Sequence, residues 1–233
     1  MLRTVRRYAA STTPRSVRIG GASAFWGDTA IAAPQLLAAM PTVNYLVFDY
    51  LAETTMAIMA RMREKRPDSG YASDFVQITM PAIAPMLRDQ NVKVIANAGG
   101  VNPLAAQAAL EAKLAELGIN LRVGVVLGDD IVHQAEALRA QGVREMFTGD
   151  PFPSDVKSIN AYLGARPIAT LLEHGCDVVL TGRVVDSAVT LGACMHEFGW
   201  RDDEYDKLAG ATLAGHILEC GAQASGGLLA DWG

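Results

Sequence analysis

Most apolar runs in this chain carry no polar residue at alternate positions, and that pattern restricts the folds open to it. YLVFD at 45–49, VKVIA at 92–96, LRVGVVL at 121–127 and DVVL at 177–180 read as strands, with VRI at 17–19 and a weaker REMFT at 144–148. A strand without alternation is covered on both faces, as in a parallel sheet between helices. Helical stretches separate the runs. AETTMAIMARMREKR (52–66) sets Met56, Met59 and Ala60 at helical spacing. NPLAAQAALEAKLAELG (102–118) has Asn102 as N-cap, Pro103 at the first helical position and Gly118 just past the end. DFVQITMPAIAPMLRDQ (74–90) is helical in pattern and is expected to kink or divide at Pro81 and Pro85. The alternation predicts right-handed βαβ units and an α/β fold: a mostly parallel sheet flanked by helices, doubly wound and Rossmann-like.

Composition narrows the function classes. Half of the 233 residues are hydrophobic and 19% are charged, ample for a core. A net charge of -5 argues against a nucleic-acid partner. No run of eighteen apolar residues marks a membrane span. Cys176, Cys194 and Cys220 form no C-x-x-C pair, so neither a zinc knuckle nor a redox dithiol is indicated. The start differs from the rest. MLRTVRRYAASTTPRSVR holds Arg3, Arg6, Arg7, Arg15 and Arg18, and the first carboxylate is Asp28. That is the composition of a mitochondrial transit peptide over residues 1–16, or of a plain basic tail, before an α/β domain at 17–233. The matrix is therefore the expected location, with the cytoplasm as the alternative. The last residues, GGLLADWG, read as the beginning of a further element, so the domain is expected to be incomplete at its C-terminus.

In an open parallel sheet, ligands bind outside the carboxyl ends of the strands. Glycine, acid, amide or arginine follows each predicted strand. These are Gly20, Gly21, Ser23 and Asp28; Asp49 and Glu53; Asn97, Gly99, Gly100 and Asn102; Asp129 and Asp130; and Gly182, Arg183 and Asp186. Asn97, Gly99, Asp129, Gly182 and Arg183 are expected to converge at one edge. Neither G-x-G-x-x-G nor a P-loop is present, so no dinucleotide fingerprint is satisfied and no cofactor is assigned. NAGGVNP runs from a strand into a helix, where its amides could cradle a phosphate or carboxylate, or simply make a tight turn. Arg183 could grip a carboxylate through two parallel bonds, or pair locally with Asp186 as the latter caps a helix. Asp28, Asp49, Asp129 and Asp130 are oxygen donors for Mg²⁺, but no spacing supports a site, and no metal ligand is assigned. In GHILECGAQASGG, His216 and Glu219 share a helix face, with Glu219 placed to orient His216, and Cys220 is a candidate nucleophile.

Together VRIGGASAFWGD, GYASDF, VIANAGGVNP, INAYLGARPIATLLEHGCDVVLTGRVVDSAVTLG and GHILECGAQASGG resemble the acyclic terpene utilisation (AtuA) family, from about residue 17 to the end. The resemblance implies catabolism of citronellol- and geraniol-type acids as CoA thioesters, in late lyase or hydration steps. It also implies a longer protein than this chain. It carries over no catalytic residue. The matching positions, Gly20, Gly21, Asn97, Gly99, Gly100, Gly182, Arg183, Asp186, Glu219, Cys220 and Gln223, are candidates by spacing and residue type. The expected function is an enzyme acting on a carboxylated, branched acyl-CoA. Asp186, Glu219 and Cys220 are its catalytic candidates, and Gly20, Gly21, Asn97, Gly99, Gly100, Asp129, Gly182 and Arg183 its substrate-binding candidates. The alternatives are a non-catalytic ligand-binding or scaffold subunit and a Mg²⁺-dependent hydrolase. The expected partners are an acyl-CoA-type small molecule and a second copy or partner subunit, not nucleic acid or membrane.

Overall fold

The computed structural model describes residues 15–225. Five strands, β1 (Ile19–Ser23), β2 (Tyr45–Phe48), β3 (Lys93–Ala96), β4 (Val123–Val126) and β5 (Val178–Thr181), form one sheet in the order β1-β2-β3-β5-β4. Every neighbouring pair is parallel. The helices are α1 (Ala32–Ala39), α2 (Glu53–Lys65), α3 (Met80–Gln90), α4 (Pro103–Glu116), α5 (Ala135–Ala140), α6 (Arg166–Glu173), α7 (Ala188–Phe198) and α8 (Tyr205–Leu218).

The missing alternation now has its cause. Leu46 and Phe48 of β2 enter a core layer with α1 to α4, while Tyr45 and Val47 enter a second layer with α6 and α7. Each strand face meets a helix, so apolar side chains are needed on both. The order of travel explains which helices lie where. The chain moves in one direction from β1 to β4, then turns back to insert β5. A right-handed crossover in the reversed direction must cover the opposite face. The loop after β3 therefore turns to one face and the loop after adjacent β5 to the other. That divergence opens a crevice at the carboxyl ends of the strands.

Local details depart from the sequence expectation where glycine or a side chain intervenes. The first strand is Ile19–Ser23, not 17–19, and runs through Gly20 and Gly21. Segment 144–148 is not a strand: Arg144 makes only an isolated bridge with Pro151, and Met146 and Phe147 are 83% and 86% exposed. The Glu145 carboxylate accepts the amides of Phe147 and Thr148, which folds the segment into a local turn instead of a ladder. The 74–90 segment changes helix type next to Pro81 but does not divide at Pro85, which lies inside α3. A π-helical turn, Phe75–Thr79, precedes α3, and Pro81 in the first turn of α3 has no N–H to offer. Asn102 precedes α4 but makes no cap bond. Its Nδ2 donates to the carbonyls of Pro67 and Ser69. Of the leader expected over residues 1–16, only Arg15 and Ser16 fall among the described residues. Residues 226–233, with the further element expected there, also lie outside them. Among the described residues no helix is long and apolar enough to cross a membrane.

The densest part of the core is aromatic. Phe48 stacks on Tyr50 at 5.9 Å between ring centroids and meets the edge of Phe75 at 5.4 Å. Phe48→Ala should cost roughly 3–5 kcal/mol of unfolding free energy in a urea titration, the range for emptying a buried aromatic position. A loss below about 1 kcal/mol would show that the cluster is not packed as described.

Candidate functional site

Parallel register puts Asp49 and Asn97 side by side, because Phe48 of β2 pairs with Ala96 of β3. Both are buried. Asn97 Nδ2 donates to Asp49 Oδ1 at 2.6 Å, and Asn97 Oδ1 accepts the Tyr50 amide at 2.7 Å. The Leu51 amide reaches the same Asp49 oxygen at 3.2 Å.

Glu219 arrives from the other end of the chain. It caps the C-terminus of α8, and two glycines let that helix end descend onto the sheet. A Cβ on Gly21 would collide with the Leu218 carbonyl, and one on Gly215 would lie 2.8 Å from the Ser187 carbonyl. The carboxyls of Glu219 and Asp49 come within hydrogen-bonding reach of each other, an approach that favours keeping one proton between them. Burial first, then Asp49 and Asp186, push Glu219 up to about 8, and burial likewise raises Asp49. The Glu219 side chain keeps 12% of its exposure, enough for a small ligand to reach. Cys220 Sγ lies 3.7 Å from Glu219 Oε1. Burial and that carboxylate raise its thiol pKa, so nothing here generates the thiolate a nucleophile needs.

Arg183 is held as a wall. Its side chain is 6% exposed. The guanidinium lies over the Tyr162 ring at 4.2 Å and donates through Nη1 to the Leu51 carbonyl and through Nη2 to the Tyr162 hydroxyl at 2.9 Å. Asp186 stands 3.4 Å from Nη2 and does not cap α7, which begins at Ala188. A substrate carboxylate would have to displace these partners, so the open, forked grip expected of Arg183 is not what the geometry presents. Asp129 is likewise occupied: its Oδ2 accepts the Arg183 amide at 2.8 Å and Asn160 Nδ2 at 2.9 Å. Gly182 is glycine because a Cβ would touch the Asp129 carboxylate.

Asn97, Gly99, Asp129, Gly182 and Arg183 thus do lie at the carboxyl edge of the sheet, but most face the protein, while Gly20 and Gly21 lie within β1, paired with Leu46 and Val47. The NAGGVNP turn is no anion cradle. The amides of Gly99, Gly100, Val101 and Asn102 already donate to Thr181, Asn97, Gly70 and Gly99 respectively, and Gly100 has φ +56. Asn97 is committed to Asp49 and Tyr50. Gly20 is closed over by Leu36 and Leu46. Asp28, Asp49, Asp129 and Asp130 do not converge either. Asp28 accepts the Ala24 amide, Asp129 accepts Asn160, and Asp130 pairs with Arg63 at 3.1 Å. Asp186, His216 and Glu219 offer ligand atoms within 4.8 Å of one another, a donor set for a divalent cation. A cation there would have to replace the proton that Glu219 shares with Asp49. Of two cavities, one borders the region. A groove of about 340 Å³ beside the end of α8 is lined by Gly21, Ala32, Leu36, Ala39, Gly221 and Ala222. Another of about 480 Å³ lies at the far end of the sheet, under Leu114, Ile119 and Val123, away from the carboxylates.

Asp49 was visible as a strand-end acid, but its pairing with Glu219 and the parts played by Tyr162, Asn160 and the Leu51 carbonyl carried no sequence signal. Over residues 17–233 the chain matches the family model described as acyclic terpene utilisation family protein AtuA. Comparison with curated proteins and with solved structures gave no match.

Two outcomes follow from this geometry. Arg183→Ala should lower unfolding free energy by roughly 3 kcal/mol, because it removes a buried guanidinium that hydrogen-bonds the Leu51 carbonyl and the Tyr162 hydroxyl and faces half-buried Asp186. A loss under about 1 kcal/mol, the scale of an exposed pair, would contradict the wall. Stability should also fall with pH. The folded chain keeps a Glu219 proton that the unfolded chain releases above the ordinary value of 4.5, so this contribution is full at low pH and lost as pH rises through about 8. Asp49, also raised, acts in the same direction. Urea titrations across that window should show the decline, and Glu219→Gln should flatten it; an equal slope in the variant removes Glu219 as its source.

Proposed function

The chain belongs to the acyclic terpene utilisation (AtuA) family, and on that premise we propose a catabolic enzyme of hydratase or lyase type acting on carboxylated, branched acyl-CoA. The observation that supports this is the approach of the Asp49 and Glu219 carboxyls to each other at the strand ends, where burial favours one retained proton. Hydration of an α,β-unsaturated thioester needs a base to take a proton from water and an acid to deliver one to carbon. The pair supplies both. Ionised Asp49 takes the water proton as the hydroxyl adds at the β-carbon, and Glu219 gives its proton to the α-carbon. The reverse order removes water. In a lyase the same base would take the proton of a β-hydroxyl as the carbon–carbon bond breaks, and the acid would protonate the carbanion released.

A carboxyl held at about 8 stays protonated at neutral pH, as a general acid must. The apolar groove fits the tail of such a substrate: its roughly 340 Å³ is within the range of small-molecule sites, and Gly221 lies two residues from Glu219. Asp186 shapes the charge around the pair, Gly21 lines the groove, and Arg183 keeps the loop after β5 in place. The Arg-rich, acid-free start supports action in the mitochondrial matrix.

The purified chain should alter the enoyl-thioester absorbance of CoA esters of carboxylated, branched enoic acids. Glu219→Gln should cut turnover about 10²–10⁴-fold, the usual contribution of a positioned acid or base. A wild-type chain inert on these esters with and without added Mg²⁺, or a Glu219→Gln variant at full rate, counts against the assignment.

A further inference from the structure

We infer that Asn97 is a positioning residue that decides which carboxyl of the pair carries the proton, holding Asp49 as the ionised acceptor and so making Glu219 the acid. The inference rests on Asp49 and Glu219 acting as a proton-transfer pair. Asn97 is 0% exposed, so its amide cannot trade partners with water. Its orientation is also fixed. Oδ1 accepts the Tyr50 amide at 2.7 Å, and a backbone N–H can only donate, so the NH₂ end must face Asp49. Asp49 Oδ1 then receives two donors, Asn97 Nδ2 at 2.6 Å and the Leu51 amide at 3.2 Å. An oxygen that accepts two N–H bonds is stabilised as a carboxylate oxygen. Neither donor uses the other Asp49 oxygen.

Among the described residues nothing comparable steadies an ionised Glu219. Its neighbours are the Cys220 thiol at 3.7 Å, a weak donor, and His216 at 3.9 Å, which is largely exposed. The remaining charged groups do not break the tie. Asp186, on the loop after β5, disfavours ionisation of both carboxyls, and Arg183 faces Asp186 and the Leu51 carbonyl. Register completes the device. Asp49 and Asn97 each follow a paired position on adjacent parallel strands, so the amide is built into the sheet and does not depend on α8.

The test is a ¹³C-carboxyl NMR titration of the full chain labelled at Asp and Glu, with the two resonances assigned through Glu219→Gln and Asp49→Asn. In the wild type Asp49 should remain ionised at pH values where Glu219 is still protonated. In Asn97→Leu, which keeps bulk and removes the donor, the Asp49 midpoint should rise by about one to two units, the size of one lost hydrogen bond to a charged group. Asn97→Ser, which keeps a donor, should shift it less. A wild-type Asp49 titrating above Glu219 overturns the inference before any variant is made. So does an unchanged order in a folded Asn97→Leu. Turnover of the thioesters is measured separately. An inert chain with the expected titration order sinks the enzymatic assignment and upholds the role of Asn97, whereas an active chain with the opposite order does the reverse.

Discussion

Helix α8 touches the sheet where no side chain fits. Gly21 has no room for a methyl group beneath the Leu218 carbonyl, and Gly215 has none beside Ser187. These approaches add to the packing of α8 along α7, where Leu208 lies against the core. Only Ala211 and Gly215 are buried along its length, and Leu213 and Ile217 remain exposed. The position of Glu219 against Asp49 is set by that packing together with two close backbone approaches, one to strand β1 and one to the turn before α7. A larger side chain at either place would lift the helix end and separate the carboxyls. The glycines serve assembly of the site without touching a ligand.

Gathering Asp49, Asp186 and Glu219 at one edge has an electrostatic cost, since like charges interact strongly where water is scarce. The fold offsets it in three ways. A proton is retained between Asp49 and Glu219. Two N–H donors converge on one Asp49 oxygen. Arg183 stands across Asp186, itself steadied by the Tyr162 ring and the Leu51 carbonyl. The arginine is thus part of the scaffold that makes a crowded acidic site tolerable.

The fold was legible in the sequence for the same reason that it is stable. Strands β2, β3, β4 and β5 have both faces covered, and burial on both faces leaves an unbroken apolar run. Strand β1 was misplaced because Gly20 and Gly21 hide strand character while serving close packing. REMFT was misread because Glu145 captures its own downstream amides. At the site, the rule of strand ends located Asn97, Asp129 and Arg183 correctly in space. It could not tell a group facing a ligand from one facing the protein. That distinction depends on partners such as Tyr162 and Glu219, brought near by topology and not by any local pattern.

The distance along the chain between Asp49 and Glu219 has a kinetic consequence. Closing a long loop is entropically costly, and contacts of large sequence separation form late in folding. The sheet and both of its helical layers can consolidate before the last helix docks. Up to that moment Asp49 has its amide donors and the more distant Asp186 for company, and Glu219 is an ordinary solvated acid. The crowding of carboxyls is thus postponed until the surrounding structure is rigid enough to bear it.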